Sequence, residues 1–402
     1  MTLAAFRNVI RQHRRSAPPV LAVAAGIAAL VLATGFIEWN LWFGRESTIH
    51  SQLGHVRVFK EGYRGKGTAE PFKYLLADEA TVRTLEAQPH VVAVAPRLSF
   101  NGLISQGDST ISFIGEGVAP DKEASLARSL TIVEGGPLSV REPQGIVLGQ
   151  GLAANLGVKP GDAVVLVVNT ESGGINGVEA RVLGFFRTIT KAYDDTALRV
   201  PITLARELLR VSGAHSHALV LDKTESTDSV VRALRHQFAR EPLEFVPWYD
   251  LADFYNKTAA LFSRQVTVLH VIVAIIILLG ISNSMMMNVL ERTNEIGTAM
   301  ALGTRRSRIL GLFLSEGMLL GVFGGLLGLA GGYFAAKGIS AIGIPMPPPP
   351  GMSFGYSAGI MVSWLAALQA FVLAVLTTLA ASVYPAWRAS RLTIVDALRH
   401  NR

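Results

Sequence analysis

Four long apolar runs divide this chain, and a long, more polar stretch separates the first run from the second. The runs are Val20–Ile37, Val266–Val289, Ile309–Ala336 and Ile360–Val383. Each is long enough for a helix to cross the hydrocarbon core of a bilayer, which takes about 20 residues. The pattern predicts an α-helical membrane protein with four transmembrane helices and a large mixed α+β domain inserted between the first and the second.

The segment boundaries follow from the points where apolar runs meet polar residues. We expect a basic tail at 1–16, spans at 17–40, 264–290, 309–337 and 359–384, an outer domain with its stalk at 41–263, a helical loop at 291–308, an outer proline-rich loop at 338–358 and a second tail at 385–402. An uncleaved anchor is favoured over a signal peptide for the first run, because no small-x-small cleavage site follows it. Pro385 is expected to end the fourth span.

The outer domain shows the periodicities of both strands and helices. Period-two alternation predicts strands at His55–Phe59, Ser109–Ile114, Ala163–Val168 and Ala180–Phe186. Helical periodicity predicts helices at Ala77–Gln88, Gly149–Leu156, Leu204–Val211 and Thr227–Phe238. A stretch of this length can bury its own core. A division into two subdomains, the second near Gly117–Arg210, is an open alternative.

One span and one loop carry unusual small or rigid residues. The third span has two rows of glycine at four-residue spacing: Gly317, Gly321, Gly325, and Gly324, Gly328, Gly332. This spacing lets helices approach backbone to backbone, so we expect tight packing of this span against another. The outer loop contains Pro347–Pro350, which stiffens the chain as polyproline II. A rigid hairpin is favoured there, and a contact for a partner or cargo is the alternative.

Composition agrees with a few spans and an aqueous domain. The chain has 402 residues, is 50% hydrophobic and has a mean hydropathy of +0.37. Its net charge of +7 comes from three segments that flank apolar runs. Their arginines are Arg7, Arg11, Arg14, Arg15, Arg292, Arg305, Arg306, Arg308, Arg388, Arg391, Arg399 and Arg402. Such segments stay in the cytoplasm, so both termini and the 291–308 loop are expected there. The charge gives no support to a nucleic-acid partner.

The 291–308 loop differs from the two tails because its centre can form a helix. Glu295–Leu302 is compatible with a short helix, and Gly303 is expected to stop it. The segment is too short to be a domain. We therefore expect it to contact a molecule outside this chain.

The sequence shows no catalytic constellation. It contains no cysteine, which excludes disulfides, thiolate metal sites and a cysteine nucleophile. Gly62–Thr68 resembles a phosphate loop, but its lysine precedes a glycine and no apolar strand leads into it. His215 and His217 would point the same way on a strand, yet no third metal ligand lies nearby. No catalytic, cofactor-binding or metal-binding residue is predicted.

Glu316 lies about two turns into the third span. An ionisable group is costly there and tends to face a partner or a cavity. A bond to a neighbouring helix or to the loop near Arg292 is favoured over a proton relay, because the spans contain no chain of further acids.

The loop, the third span and the tail together resemble the FtsX-like permease domain. The resemblance rests on Glu291–Gly297, Ala301–Gly303, Glu316 with its glycines, and the tail motifs Tyr384–Ser390 and Asp396–Arg399. It covers roughly Gln265–Arg399.

The outer domain resembles the MacB-like periplasmic domain. The matching residues are Gly54–Val58, Ala95–Leu98 and Gly149–Asp162. Among its variants, lipoprotein-releasing permeases of the LolC/LolE type are the most similar.

These resemblances imply a permease subunit of a type VII ABC transporter that works by mechanotransmission in the bacterial inner membrane. They imply a dimer with a second copy or a paralogue, on two ABC ATPases that bind ATP and magnesium. Only about sixteen residues precede the first span, so the ATPase is expected on a separate polypeptide. The coupling residues implied are Glu291, Arg292, Glu295, Ile296, Gly297, Ala301, Leu302 and Gly303.

The implied function is extraction or export of a lipidated or amphipathic substrate, as in lipoprotein release. Two alternatives stay open. One is MacB-like efflux of small molecules or peptides with a periplasmic adaptor, and the other is mechanosignalling to a cell-wall hydrolase. The family member that signals in this way has a much smaller outer domain. A membrane-anchored enzyme is disfavoured because no site was found.

Overall fold

The structure, a computed structural model, describes residues 13–67, 69–77, 79–126, 129–348, 352 and 354–392. It divides into a membrane unit and an outer unit. The membrane unit is Met1–Trp42, Thr258–Pro345 and Ser357–Arg402, and the outer unit is Phe43–Lys257 and Met346–Tyr356. Residues 1–12 of the expected basic tail, and 393–402 with the Asp396–Arg399 motif, lie outside the described residues.

The described helices fall into four long ones and eight short ones. In chain order they are α1 (His13–Thr48), α2 (Tyr63–Lys66), α3 (Glu79–Glu86), α4 (Pro120–Leu126), α5 (Gln150–Leu156), α6 (Lys191–Asp194), α7 (Ile202–Leu209), α8 (Thr227–Gln237), α9 (Asp253–Glu291), α10 (Thr293–Ala301), α11 (Arg306–Ile342) and α12 (Trp364–Ser390). Helices α1, α9, α11 and α12 are long and apolar enough to cross a membrane, one for each predicted apolar run.

Two helix ends differ from the sequence expectation. Pro385 does not end the fourth long helix, because α12 continues through it to Ser390. Proline removes one backbone donor, but membrane helices tolerate it where neighbouring helices and hydroxyl side chains satisfy the freed groups. Pro385 is buried within the membrane unit. The first helix also continues past the expected end of its span, to Thr48.

Twelve strands are described. They are β1 (Val56–Lys60), β2 (Val91–Gln106), β3 (Ser109–Val118), β4 (Thr131–Gly135), β5 (Gly145–Gly149), β6 (Ala163–Asn169), β7 (Ile175–Arg187), β8 (Ala197–Pro201), β9 (Ser216–Leu221), β10 (Leu243–Pro247), β11 (Ile344–Met346) and β12 (Tyr356–Ala358). The four candidate strands and four candidate helices of the outer domain are confirmed, with their ends shifted by a few residues.

Six strands of the outer unit close into a barrel. Their pairing runs β2–β3–β8–β5–β7–β6 and returns to β2. The β3–β8 and β5–β7 pairs are parallel, and the others are antiparallel. The largest apolar cluster of this unit draws side chains from all six strands and from α5 and α7. Closure leaves no free edge where the strands meet.

Strand β2 is shared between the barrel and a second sheet. Its residues Val91–Arg97 pair with β9 in the antiparallel order β10–β1–β9–β2. Helices α3 and α8 bury apolar side chains against this sheet, including Leu85 and Leu234. The outer unit therefore has two cores, which favours the two-subdomain interpretation. The barrel begins earlier than Gly117, however, because β2 supplies one of its walls.

Candidate ATPase-coupling site

Helix α10 is a short helix set between two membrane-spanning helices. It follows α9 after a single residue, Arg292, and ends at Ala301, with Leu302 as the C-cap residue. Gly303 then adopts a φ of +91°, a left-handed conformation that glycine takes without steric cost and that commonly ends helices. The Thr304 N–H donates to the Ala299 carbonyl at 3.0 Å. The loop between the spans is thus a defined helix with a fixed stop.

One face of α10 is anchored in the membrane unit. Ile296 and Gly297 are buried. The Thr293 hydroxyl donates to the carbonyls of Val289 and Leu290 at 3.0 and 2.8 Å, which satisfies acceptors that the end of α9 would otherwise leave free. This face fixes the position of the helix.

Arg292 joins α10 to the third long helix. Its Nε donates to Glu295 Oε2 at 3.1 Å, and its Nη1 donates to Glu316 Oε1 at 3.0 Å. Its guanidinium carbon lies 5.8 Å from the centre of the Phe313 ring. The Glu316 side chain is 7% exposed, so its charge is nearly removed from solvent. This contact between Glu316 and Arg292 is the one favoured from the sequence, and a buried carboxylate needs such a partner.

Other predicted coupling residues in and beside α10 are exposed. They are Glu291 at the end of α9, Glu295 and Ala301 in α10, and Leu302 and Gly303 directly after it. Leu302, the C-cap residue of α10, is a large apolar side chain that is 89% exposed. The predicted coupling residues therefore separate into an anchoring set and an exposed set, which we call the coupling face.

The two glycine rows of α11 face two different helices. An added Cβ at Gly317, Gly321 or Gly325 would meet α12, at Ser382, Thr378 or Phe371. An added Cβ at Gly324, Gly328 or Gly332 would meet α1, at Val23, Ile27 or Val31. Helix α11 thus packs between α1 and α12 at backbone distance on both sides. The sequence indicates one partner for this helix, and the structure has two.

The outer unit contains a buried cluster of charges that the sequence analysis missed. Arg57, Arg97 and Arg199 surround Glu116 and Glu123, with N–O distances of 2.5 Å for Arg97–Glu123, 3.1 Å for Arg199–Glu123 and 3.3 Å for Arg199–Glu116. Burial opposes ionisation of Glu116, but the three arginines hold its pKa below the ordinary value. The sequence signal for this cluster was the presence of charged residues within otherwise apolar strands. The cluster joins β1, β2, β3, β8 and α4, and so ties the two cores together.

Three buried histidines of the outer unit are neutral structural residues. Nδ1 of His55 accepts from Leu221 N, and Nδ1 of His215 accepts from Ser99 N, both at 3.1 Å. Burial lowers the pKa of His55, His215 and His217 to about 4. Among the described residues, no group of three or more histidines and carboxylates could hold a metal ion.

Comparisons with known proteins agree with this architecture. The FtsX-like permease C-terminal family matches residues 267–394, and the MacB-like periplasmic core domain matches residues 19–237. The second match covers more than half of the chain. By class the chain is an ABC transporter permease subunit.

Three individual relatives are similar to this chain over most of its length. An uncharacterized ABC transporter permease of Methanocaldococcus jannaschii is 26% identical over 98% of this chain and 96% of its own length. The macrolide export ATP-binding/permease protein MacB of Psychrobacter arcticus is 25% identical over 97% of this chain, which spans 58% of that relative. LolC, a lipoprotein-releasing system transmembrane protein of Xylella fastidiosa, is 25% identical over 78% of both chains.

A crystal structure of the periplasmic region of MacB from Actinobacillus actinomycetemcomitans is also similar, at 15% identity. It covers 50% of this chain and 92% of its own, with a TM-score of 0.37. The chain belongs to the family of FtsX-like permeases with a MacB-like periplasmic core domain. Permeases of this family work with an ABC ATPase, often as dimers.

Proposed function

We propose that this chain uses ATP hydrolysis in a separate ATPase polypeptide to move its outer domain and to extract or export a lipidated or amphipathic substrate. The observation that carries the proposal is the geometry of α10. This helix presents the coupling face outward, while its other face is anchored between two spans. A partner protein that binds the exposed face would therefore displace α10 as a rigid unit.

The contacts of Arg292 would transmit a displacement of α10 to α11. Its ion pairs with Glu295 and Glu316 join α10 to α11. Helix α11 in turn contacts α1 and α12 at backbone distance along its glycine rows. Close-packed helices shift as units rather than deform continuously, so a displacement of α10 would move these helices together.

The charge pattern supports an inner-membrane location with α10 and both termini in the cytoplasm. The arginines beside α10 follow the bias that keeps basic loops inside. The inserted domain then lies in the periplasm. Most side chains of α9 are exposed, and only Ile277, Ile281, Met285 and Val289 are buried. This apolar surface fits lipid and a second permease copy or paralogue.

The substrate class rests on the absence of a polar path among the described span residues. Glu316 is the one buried charged side chain of the described span segments, and Arg292 neutralises it. The buried hydroxyls of Thr34, Thr378 and Ser382 already donate to backbone carbonyls of their own helices, so a polar solute crossing between these helices would find little to replace its hydration. Two relatives are named for macrolide export and for lipoprotein release.

The proposal is tested with Glu295→Lys and Gly303→Pro in a complex reconstituted with the co-purified ATPase. Both variants change the coupling face or the helix stop, so we expect loss of ATPase stimulation with membrane insertion intact. Glu241→Lys, at an exposed site of the outer unit, is the matched control. Unchanged stimulation in both variants would refute the coupling role.

The substrate is tested separately by mass spectrometry of lipids and proteins bound to the complex. We expect a lipid-bearing or amphipathic cargo. A cell-wall hydrolase as partner, with no lipid-bearing cargo, would overturn the transport proposal in favour of signalling.

A further inference from the structure

A cleft of about 720 Å³ lies between α10 and the first turns of α11. This volume falls within the range of about 300–1,000 Å³ that ligand pockets occupy. One wall comes from α10, with Ile296 and Ala299, and the other comes from Ile309, Leu312 and Phe313 of α11. The walls are therefore apolar.

The polar groups at this cleft leave one cation available. Arg292, Glu295 and Thr304 also line it, and the guanidinium of Arg292 pairs with the carboxylates of Glu295 and Glu316. Arg308 lines the cleft as well. It is exposed, and within the described part of the chain no ion pair of its side chain is found. The cleft thus combines an unneutralised guanidinium at its rim with an apolar interior.

The position of the cleft limits what can fill it. Its α11 wall belongs to the first two turns of a membrane-spanning helix. A soluble partner would have to push side chains into the bilayer to reach Leu312 and Phe313. A lipid already presents this arrangement, because its charged headgroup lies at the interface and its chains lie in the hydrocarbon.

We infer that this cleft binds an anionic phospholipid of the leaflet next to α10. Its phosphate lies against the Arg308 guanidinium, and the start of one acyl chain covers Ile309, Leu312 and Phe313. Basic pockets between transmembrane helices on the cytoplasmic side bind anionic headgroups in this way. The bound lipid fills the space between α10 and α11 and so stiffens the joint that Arg292 makes.

The site is tested on the purified full chain alone, by native mass spectrometry with added phosphatidylglycerol or phosphatidylcholine. We expect preferential binding of phosphatidylglycerol. Arg308→Gln should weaken that binding about fivefold, which is the usual contribution of one cation near an anionic lipid surface. Arg306→Gln is the matched control, since Arg306 is an exposed cation in the same cluster that does not line the cleft.

A second variant tests the cleft without changing charge. Ala299→Trp fills the space between the two walls, so it should also reduce phosphatidylglycerol binding. Equal losses of phosphatidylglycerol binding in Arg306→Gln and Arg308→Gln would mean that the lipid is attracted by the whole basic cluster, and would overturn the site. This comparison tests the proposal even if Ala299→Trp does not fold. Equal binding of the two lipids would overturn it as well. Because no ATPase is needed, failure here leaves the proposed coupling role standing, and the reverse also holds.

Discussion

Packing of the third long helix can be tested by adding one methyl group at each of two neighbouring glycines. Gly328 faces α1, and a Cβ added there would lie 2.7 Å from the Ala24 carbonyl oxygen and 2.7 Å from Ile27 Cβ. Real Cβ atoms do not approach backbone so closely, so the helices would have to move apart. Gly331 lies one turn further on and would meet nothing within 4 Å.

The difference between the two alanine variants isolates the packing cost. Each Gly→Ala change gains about 0.5–1 kcal/mol in helix propensity, and this gain cancels in the comparison. Forcing an extra carbon into a packed interface costs about 1–3 kcal/mol. We therefore expect Gly328→Ala to be less stable than Gly331→Ala by about 1–3 kcal/mol.

The assay is thermal unfolding of the full chain in detergent, followed by intrinsic fluorescence. Gly331→Ala should melt at or above the wild-type temperature, and Gly328→Ala at least about 2 °C below Gly331→Ala. Equal melting temperatures for the two variants would contradict the backbone contact between α1 and α11.

Three further predictions follow from other contacts. Gly321→Leu or Gly325→Leu should weaken the contact between α11 and α12, and a detergent melting curve with no loss of stability would count against that packing. Glu123→Gln removes one of the two carboxylates that neutralise the buried guanidinium groups of Arg97 and Arg199, so we expect a loss of about 3–5 kcal/mol in denaturant unfolding; a loss below about 1 kcal/mol would contradict the buried cluster. The three buried histidines have folded pKa values of about 4 against an ordinary 6.5, so the unfolded chain binds more protons between these values. Stability should therefore fall as pH drops from about 6.5 towards 4, by at most about 4 kcal/mol per pH unit for the three together, and unfolding curves that coincide at pH 7 and pH 5 would refute this.

The spans were predictable because length and apolarity alone determine them. A run of apolar residues that crosses a bilayer has few alternatives to a helix, and all four runs form long helices. The prediction that the fourth span ends at Pro385 was wrong because of tertiary packing. Proline breaks an isolated helix in water, but neighbouring membrane helices keep α12 intact to Ser390.

The outer domain was harder to predict from local pattern. Four strands were predicted from period-two alternation, but β2, β4, β5, β8, β9 and β10 were not. Strands β5, β8 and β9 are buried along their whole length, and a buried strand shows no alternation. Closure of the barrel depends on pairing between β2 and β6, which no local signal specifies. The charge cluster was missed for the same reason, because Arg57 and Arg199 are far apart in sequence and meet only in the fold.

The residues predicted for coupling fall into a buried set and an exposed set in the structure, and the sequence did not separate the two. Spacing indicated a short helix that Gly303 ends, and Glu316 indicated a partner near Arg292. Which residues point inward depends on the packing of α10 against α9 and α11. The structure buries Ile296 and Gly297 and leaves Leu302 exposed.

The central claim is that a separate ATPase acts on this chain through the exposed face of α10. The most direct measurement is ATP hydrolysis by the co-purified ATPase, with wild-type chain and with Glu295→Lys, in the same lipid membranes. The account predicts that an ABC ATPase co-purifies, that the wild-type chain stimulates it and that Glu295→Lys does not. Full stimulation by Glu295→Lys, or purification of the intact wild-type chain without any ATPase, would contradict it.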